Sequence, residues 1–323
     1  MPREAPATDI DTSQPPVRRH AGPIIDAHTH LAGVEDARRL FGVAAAYGIH
    51  TICGIVRPHD IGPLKAAFGD AFQPIVWVDH AHIREPARFG RENVRAIREA
   101  RACGAVAAKF WYTPRFLAES RFQFDDPALR PIFEVLAELG MPALVHVADP
   151  DCWFRTHYAD VALYGTKADQ YGPLERTLAA FPDLRVIGAH FGGDPEDFGH
   201  LRRLLDAHPN YCIDTSATKW IARELSVKPA ESRALVIERA DRILFGSDLV
   251  VFADATAAHY SSRYWVQRWL WEGEGTRPSP IPDPCATWPE RPRVSGLALP
   301  PECLDRLYAA NACRLLGIPL PAR

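Results

Sequence analysis

At 323 residues, 47% of them apolar and 24% charged, the chain has the composition of a globular protein with a sizeable core, enough for one large barrel or two ordinary domains, and not of a disordered chain. A net charge of -3, with no block of like charge, excludes a surface built to track nucleic acid phosphates or an anionic membrane and leaves a small molecule as the expected partner. No apolar run approaches the roughly 18 to 20 residues that span a bilayer, and residues 1–23 lack the apolar core of a signal peptide, so a cytoplasmic protein is expected.

The first 23 residues, "MPREAPATDIDTSQPPVRRHAGP", are polar and Pro-rich without periodicity and read as a mobile arm. Folded structure, residues 24–323, begins at "IIDAHTH". Side chains alternate along a strand, so Asp26, His28 and His30 share one face. On its own that pattern fits a solvated edge strand, backbone-bonded histidines or a ligand set. Strand-like runs then alternate with helix-like ones: "TICGIV", "PIVWVD", "AVAAKFW", "PALVHV", "LRVIGAH", "YCIDTS" and "RILFGSD" are each followed by a helical pattern. With the first strand this makes eight βα units, which predicts an α/β fold, a (β/α)8 TIM barrel. An open doubly wound sheet is disfavoured, because no GxGxxG or P-loop glycine motif follows any strand. Asp126 before Pro127 and Asp194 before Pro195 read as helix caps, while Gly104, Gly140 and Gly317 read as helix stops.

Residues 249–300 break the rhythm with an aromatic stretch, "HYSSRYWVQRWLWEG", and a Pro-rich run. This insertion between strand 8 and the last helix reads as a lid, a homo-oligomer contact or a packed excursion. Seven cysteines without a CxxC pair indicate neither a disulfide framework nor a thiolate zinc site, and Cys152 reads as a loop thiol more than as a nucleophile. Only five of the 37 Lys and Arg residues are lysines (65, 109, 167, 219 and 228), so a lysine in this chain marks a position where an amine is wanted.

Barrel chemistry sits at the C-terminal ends of the strands. Taken strand by strand, those ends carry His28 and His30, Lys109, His146, His190 and Asp248, each interrupting an apolar run where an unpartnered polar group is costly. Imidazoles and a carboxylate are ligand types for a divalent metal, most often Zn2+, with Mn2+ or Fe2+ as alternatives. Arg57 after strand 2 and His80 after strand 3 are weaker candidates, for reading a substrate carboxylate or polar group, as is Lys109 if it pairs with a substrate anion. Thr215, Lys219, His157 and Tyr158 are candidates of the same weaker kind.

"DAHTH", "LVHVAD", "GAHFGGD", "ILFGSD" and "NACRLLG", in this order, resemble the amidohydrolase superfamily, in particular the amidohydrolase-related branch that includes aminocarboxymuconate-semialdehyde decarboxylase. The resemblance implies that His28, His30, His146 and Asp248 are metal ligands and that His190 binds a second metal or acts on substrate. It implies an internal hydrogen-bonding role for Asp26. Lys109 departs from the mononuclear decarboxylase pattern; in binuclear members a strand-4 lysine carbamate bridges two ions, so one or two metals per chain are expected. The activity so implied is hydrolysis of an amide, lactone or related bond by metal-activated water, with Asp248 orienting the water and taking its proton and His190 stabilising the oxyanion. The alternative is a nonoxidative decarboxylase on one metal.

Overall fold

The computed structural model describes residues 10–286 and 292–321. Its strands are β1 (Ile24–His30), β2 (Ile49–Val56), β3 (Phe72–Trp77), β4 (Ala107–Trp111), β5 (Ala143–His146), β6 (Val186–Gly188), β7 (Tyr211–Asp214), β8 (Ile243–Leu244), β9 (Leu249–Val250), β10 (Glu274–Pro278) and β11 (Arg293–Leu297). The chain forms two compact units: one from residues 54–214 and 314–318, the other from the rest, with the boundary falling inside β2. Among the described residues no helix is long and apolar enough to cross a membrane.

In the 54–214 unit, β3 to β7 pair in chain order, all parallel. Parallel strands are covered on both faces, which is why "AVAAKFW" and "PALVHV" read as nearly unbroken apolar runs. Helix Pro86–Ala102 shows the complementary pattern. Its buried residues Phe89, Asn93, Ile97 and Ala100 recur at helical spacing, and proline occupies its first turn where no backbone donor is needed. Asp126 caps the turn Pro127–Leu129 through the Ala128 amide at 2.9 Å, as expected. Asp194 does not cap; Asp197 accepts from His200 N and starts helix Phe198–Ala207 instead. Gly188 ends β6 because nothing larger fits: a Cβ there would lie 1.9 Å from the Tyr211 hydroxyl.

In the other unit β1 pairs in parallel with β9, Thr29 opposite Leu249 and His30 opposite Val250. The backbone locks this end further, with Ala27 N donating to Phe245 O at 2.9 Å and Asp248 N to His28 O at 2.8 Å. Helix Ala257–Glu272 carries the aromatic stretch anticipated as a lid, an oligomer contact or a packed excursion, and its aromatic side chains are packed. Tyr260, Tyr264, Trp265, Trp269 and Trp271 are all buried in it. Gln267 donates to Thr215 O, Thr218 Oγ1 and Gly246 O, which ties the helix to the loops after β7 and β8. The antiparallel hairpin β10–β11 follows; residues 287–291 of the Pro-rich run lie outside the described residues.

A buried ion pair anchors the end of that helix. Glu272, fully buried, accepts from the Arg268 guanidinium, from Tyr308 OH at 2.8 Å, and from the backbone amides of Arg19 at 2.6 Å and His20 at 3.0 Å. Arg268 also donates to Tyr47 O at 2.7 Å. The described part of the segment expected as a mobile arm is therefore fastened, and Tyr47 OH adds a bond to Thr12 O at 2.6 Å. Residues 1–9 lie outside the described residues.

Candidate functional site

His28 and His30 leave β1 on the face the alternation assigns them, and Asp248 reaches both. Its Oδ1 lies 3.4 Å from His28 Nε2 and 3.2 Å from His30 Nε2. Donor atoms of the three residues all lie within 4.8 Å of one another. Nitrogen and oxygen ligands at about 2.0–2.1 Å from a tetrahedral ion are about 3.3–3.4 Å apart, so these separations suit a shared divalent ion. Asp248 is held there by an uncommon backbone: its φ is 59°, a left-handed conformation that aspartate tolerates better than most residues.

Asp26, fully buried one turn of the pleat earlier, gathers four donors: His28 N at 3.2 Å, Ser247 N at 3.0 Å, Ser247 Oγ at 2.6 Å and Tyr264 OH at 2.8 Å. Burial pushes its carboxyl up to about 7 against those hydrogen bonds, which favour the ionised form. The clasp fixes Ser247, and with it the loop that presents Asp248. Sequence reasoning did not find Ser247 or Tyr264.

In the 54–214 unit, His146 ends β5 and His190 follows β6. His190 Nε2 is 3.2 Å from His146 Nδ1, with the rings edge to face at 4.4 Å. His146 Nε2 is 3.2 Å from Asp149 Oδ1, and Asp149 Oδ2 accepts from Tyr158 OH at 2.9 Å. His190, His146, Asp149 and Tyr158 thus form one connected chain of polar contacts. His190 and Phe191 are both left-handed, at φ 58° and 57°, and the His190 amide donates to Asp214 Oδ1 at 2.9 Å. Two consecutive non-glycine residues in that region are costly, and the Asp214 bond is one of the constraints that holds them. Asp214, buried at the end of β7, was visible in "YCIDTS" but carries no motif of its own.

Lys109 is 1% exposed, in the middle of β4 and not at its end, opposite Trp77 on one side and Leu144 on the other. Arg57 lies over the Trp77 ring at 5.7 Å and 3.9 Å from Asp79, a long pair on an exposed surface that contributes little. His80 is packed against Phe89, Tyr112 and Phe116, and its Nε2 is buried without a hydrogen-bond partner among the described residues. Cys152, expected as a loop thiol more than as a nucleophile, is neither: it lies in helix Asp151–Thr156 and is disulfide-bonded. Lys167 sits among Asp151, Asp194 and Glu196 at 2.8–2.9 Å; burial opposes its charge, but Asp194 and Glu196 hold the ammonium above the usual lysine range. One of the trio's three negative charges is thus balanced by the chain's own cation.

Desolvation lowers His80 to about 4, with Asp79 opposing and Arg57 assisting. The unfolded chain takes up this proton as pH falls through 6.5, and the folded chain only near 4. The contribution to stability is therefore complete above the first value and lost on the way down to the second, at most about 3 kcal/mol. Between about pH 7 and about pH 5 the urea midpoint of the parent should drop more steeply than that of His80→Phe, whose ring suits the aromatic surroundings. Equal drops would show that another group carries the acid lability.

Comparison with known structures places this architecture among TIM-barrel proteins. A TIM-barrel protein from Bordetella bronchiseptica superposes over 91% of this chain and 98% of its own, with a TM-score of 0.57 at 15% identity. The 2,6-dihydroxybenzoate decarboxylase from Rhizobium does so over 92% and 99%, again with a TM-score of 0.57, at 14% identity. The Amidohydrolase family profile matches residues 25–318, and the chain belongs to that family, whose members are enzymes of the amidohydrolase superfamily. In sequence it is similar to a dihydroorotase from Marinobacter nauticus, 31% identical over 128 residues, which is 39% of this chain and 33% of that protein.

Proposed function

We propose that the chain is a metal-dependent hydrolase acting on an amide, lactone or related bond of a small molecule. The observation that carries this reading is the placement of Asp248 Oδ1 within 3.4 Å of both strand-end imidazoles, a donor set of two nitrogens and a carboxylate suited to Zn2+, Mn2+ or Fe2+. A divalent ion so bound supplies Lewis acidity and a water activated at neutral pH. His28 and His30 would hold the ion, and Asp248 would both hold it and receive the proton of the attacking water at its carboxylate. By family resemblance His146 would be a further ligand and His190 the donor to the developing oxyanion, roles that require them to leave their contacts with each other and with Asp149, and Lys109 would be the amine for a carbamate if a second ion binds. The sequence similarity to a dihydroorotase supports hydrolysis.

The test is elemental analysis of gently purified protein beside a substrate panel. About one or two divalent ions per chain and turnover of lactones or cyclic amides are expected. Bound metal with no hydrolysis, but with release of CO2 from small unsaturated or aromatic carboxylic acids, would make the enzyme a nonoxidative decarboxylase. Folded protein without metal would overturn both.

A further inference from the structure

A cavity of about 320 Å³ opens in the unit that contains β1, between helix Thr218–Val227 and hairpin β10–β11, with Val266 of helix Ala257–Glu272 on its wall. Three cations line it, Lys219, Arg223 and Arg293, against a single carboxylate, Asp283. That carboxylate is already committed: Oδ2 pairs with Arg223 Nη1 at 2.5 Å and Oδ1 accepts from Cys285 N at 3.0 Å. Arg223 is satisfied a second time by Glu224 at 2.6 Å. Lys219 and Arg293 therefore face the cavity with no acidic partner among the described residues. Partial desolvation by the wall lowers the Lys219 pKa, Asp283 partly offsets this, and repulsion from Arg263 and Arg223 lowers it further. Serine hydroxyls at 279 and 295 add neutral donors to the rim.

We infer that this cavity is a binding site for a small oxyanion, the phosphate or carboxylate group of a metabolite, with Lys219 and Arg293 as its charged anchors. An arginine offers a planar fork and a lysine a compact point charge, a combination suited to an oxygen-rich group of two negative charges. The site also accounts for an amine at 219 in a chain that otherwise prefers arginine. It is separate from the reaction proposed above and does not depend on it.

The five lysines make the test simple to read. The intact protein is acetylated with a limiting amine-reactive ester and the modification of each lysine is followed by mass spectrometry, with inorganic phosphate or citrate at millimolar concentration in parallel arms. Either anion should slow Lys219 about fivefold when present at about four times its Kd, while exposed Lys228 is unaffected. Protection by phosphate alone identifies a phosphate site, and by citrate alone a carboxylate site. Arg293→Ala, a change at an exposed strand position, should abolish the protection. Lys219 unprotected by both anions, or slowed only in step with Lys228, or equally protected in Arg293→Ala, overturns the inference.

Discussion

Asp248→Asn is expected to lower kcat by about 10²–10⁴-fold, the span associated with removing a positioned acid–base group. Asparagine keeps the size of the side chain and is among the few residues at ease at a φ near 59°, so the backbone of the loop should survive. What is lost is the anionic oxygen that lies 3.2 and 3.4 Å from the two imidazoles. His28→Ala removes a nitrogen donor instead and should empty the protein of metal, whereas Asp248→Asn should retain part of it. Circular dichroism and metal content measured beside kcat separate the two effects. A kcat within about threefold of the parent in Asp248→Asn would remove this carboxylate from the chemistry.

Glu272→Ala should destabilise by about 3–5 kcal/mol, because it leaves a buried guanidinium without its counter-charge. Arg268 is 4% exposed and cannot turn to water without moving the helix. The same deletion strands the amides of Arg19 and His20 and the hydroxyl of Tyr308. Each lost bond that leaves a buried donor adds to the cost. Denaturant midpoints at constant m-value measure it, and the double change with Arg268→Leu should recover part of the loss, since no buried charge then remains. A loss under about 1 kcal/mol would place the pair among surface-like bridges.

The strand order and the shared face of His28 and His30 were legible because they rest on a local rule, alternation along a strand; Asp248, expected at the end of strand 8, lies instead between β8 and β9. What stayed hidden depends on partners far away in the chain. Helix Ala257–Glu272 stood out because residues 249–300 break the alternation of strands and helices; that its Gln267, Arg268 and Glu272 are buried depends on residues some 50 to 250 positions distant. The same reason hid Ser247 and Tyr264, whose hydroxyls matter only once Asp26 is beside them. Asp194 resembled a cap by its proline, but Lys167, 27 positions earlier in sequence and 2.9 Å away in space, claims it. Asp214 had no periodic or spaced companion to mark it.

The clasp of Glu272 on the amides of Arg19 and His20 also sets a clock for the ribosome. The two ends of that contact are separated by 253 positions. At about 5–20 residues per second, about 13 to 50 s pass between the synthesis of one and the other. Throughout that interval the early segment waits without its acceptor, and the β1 histidines wait for a carboxylate that has not been made. Residues 54–214 are by then made, though residues 314–318 of the same unit are not.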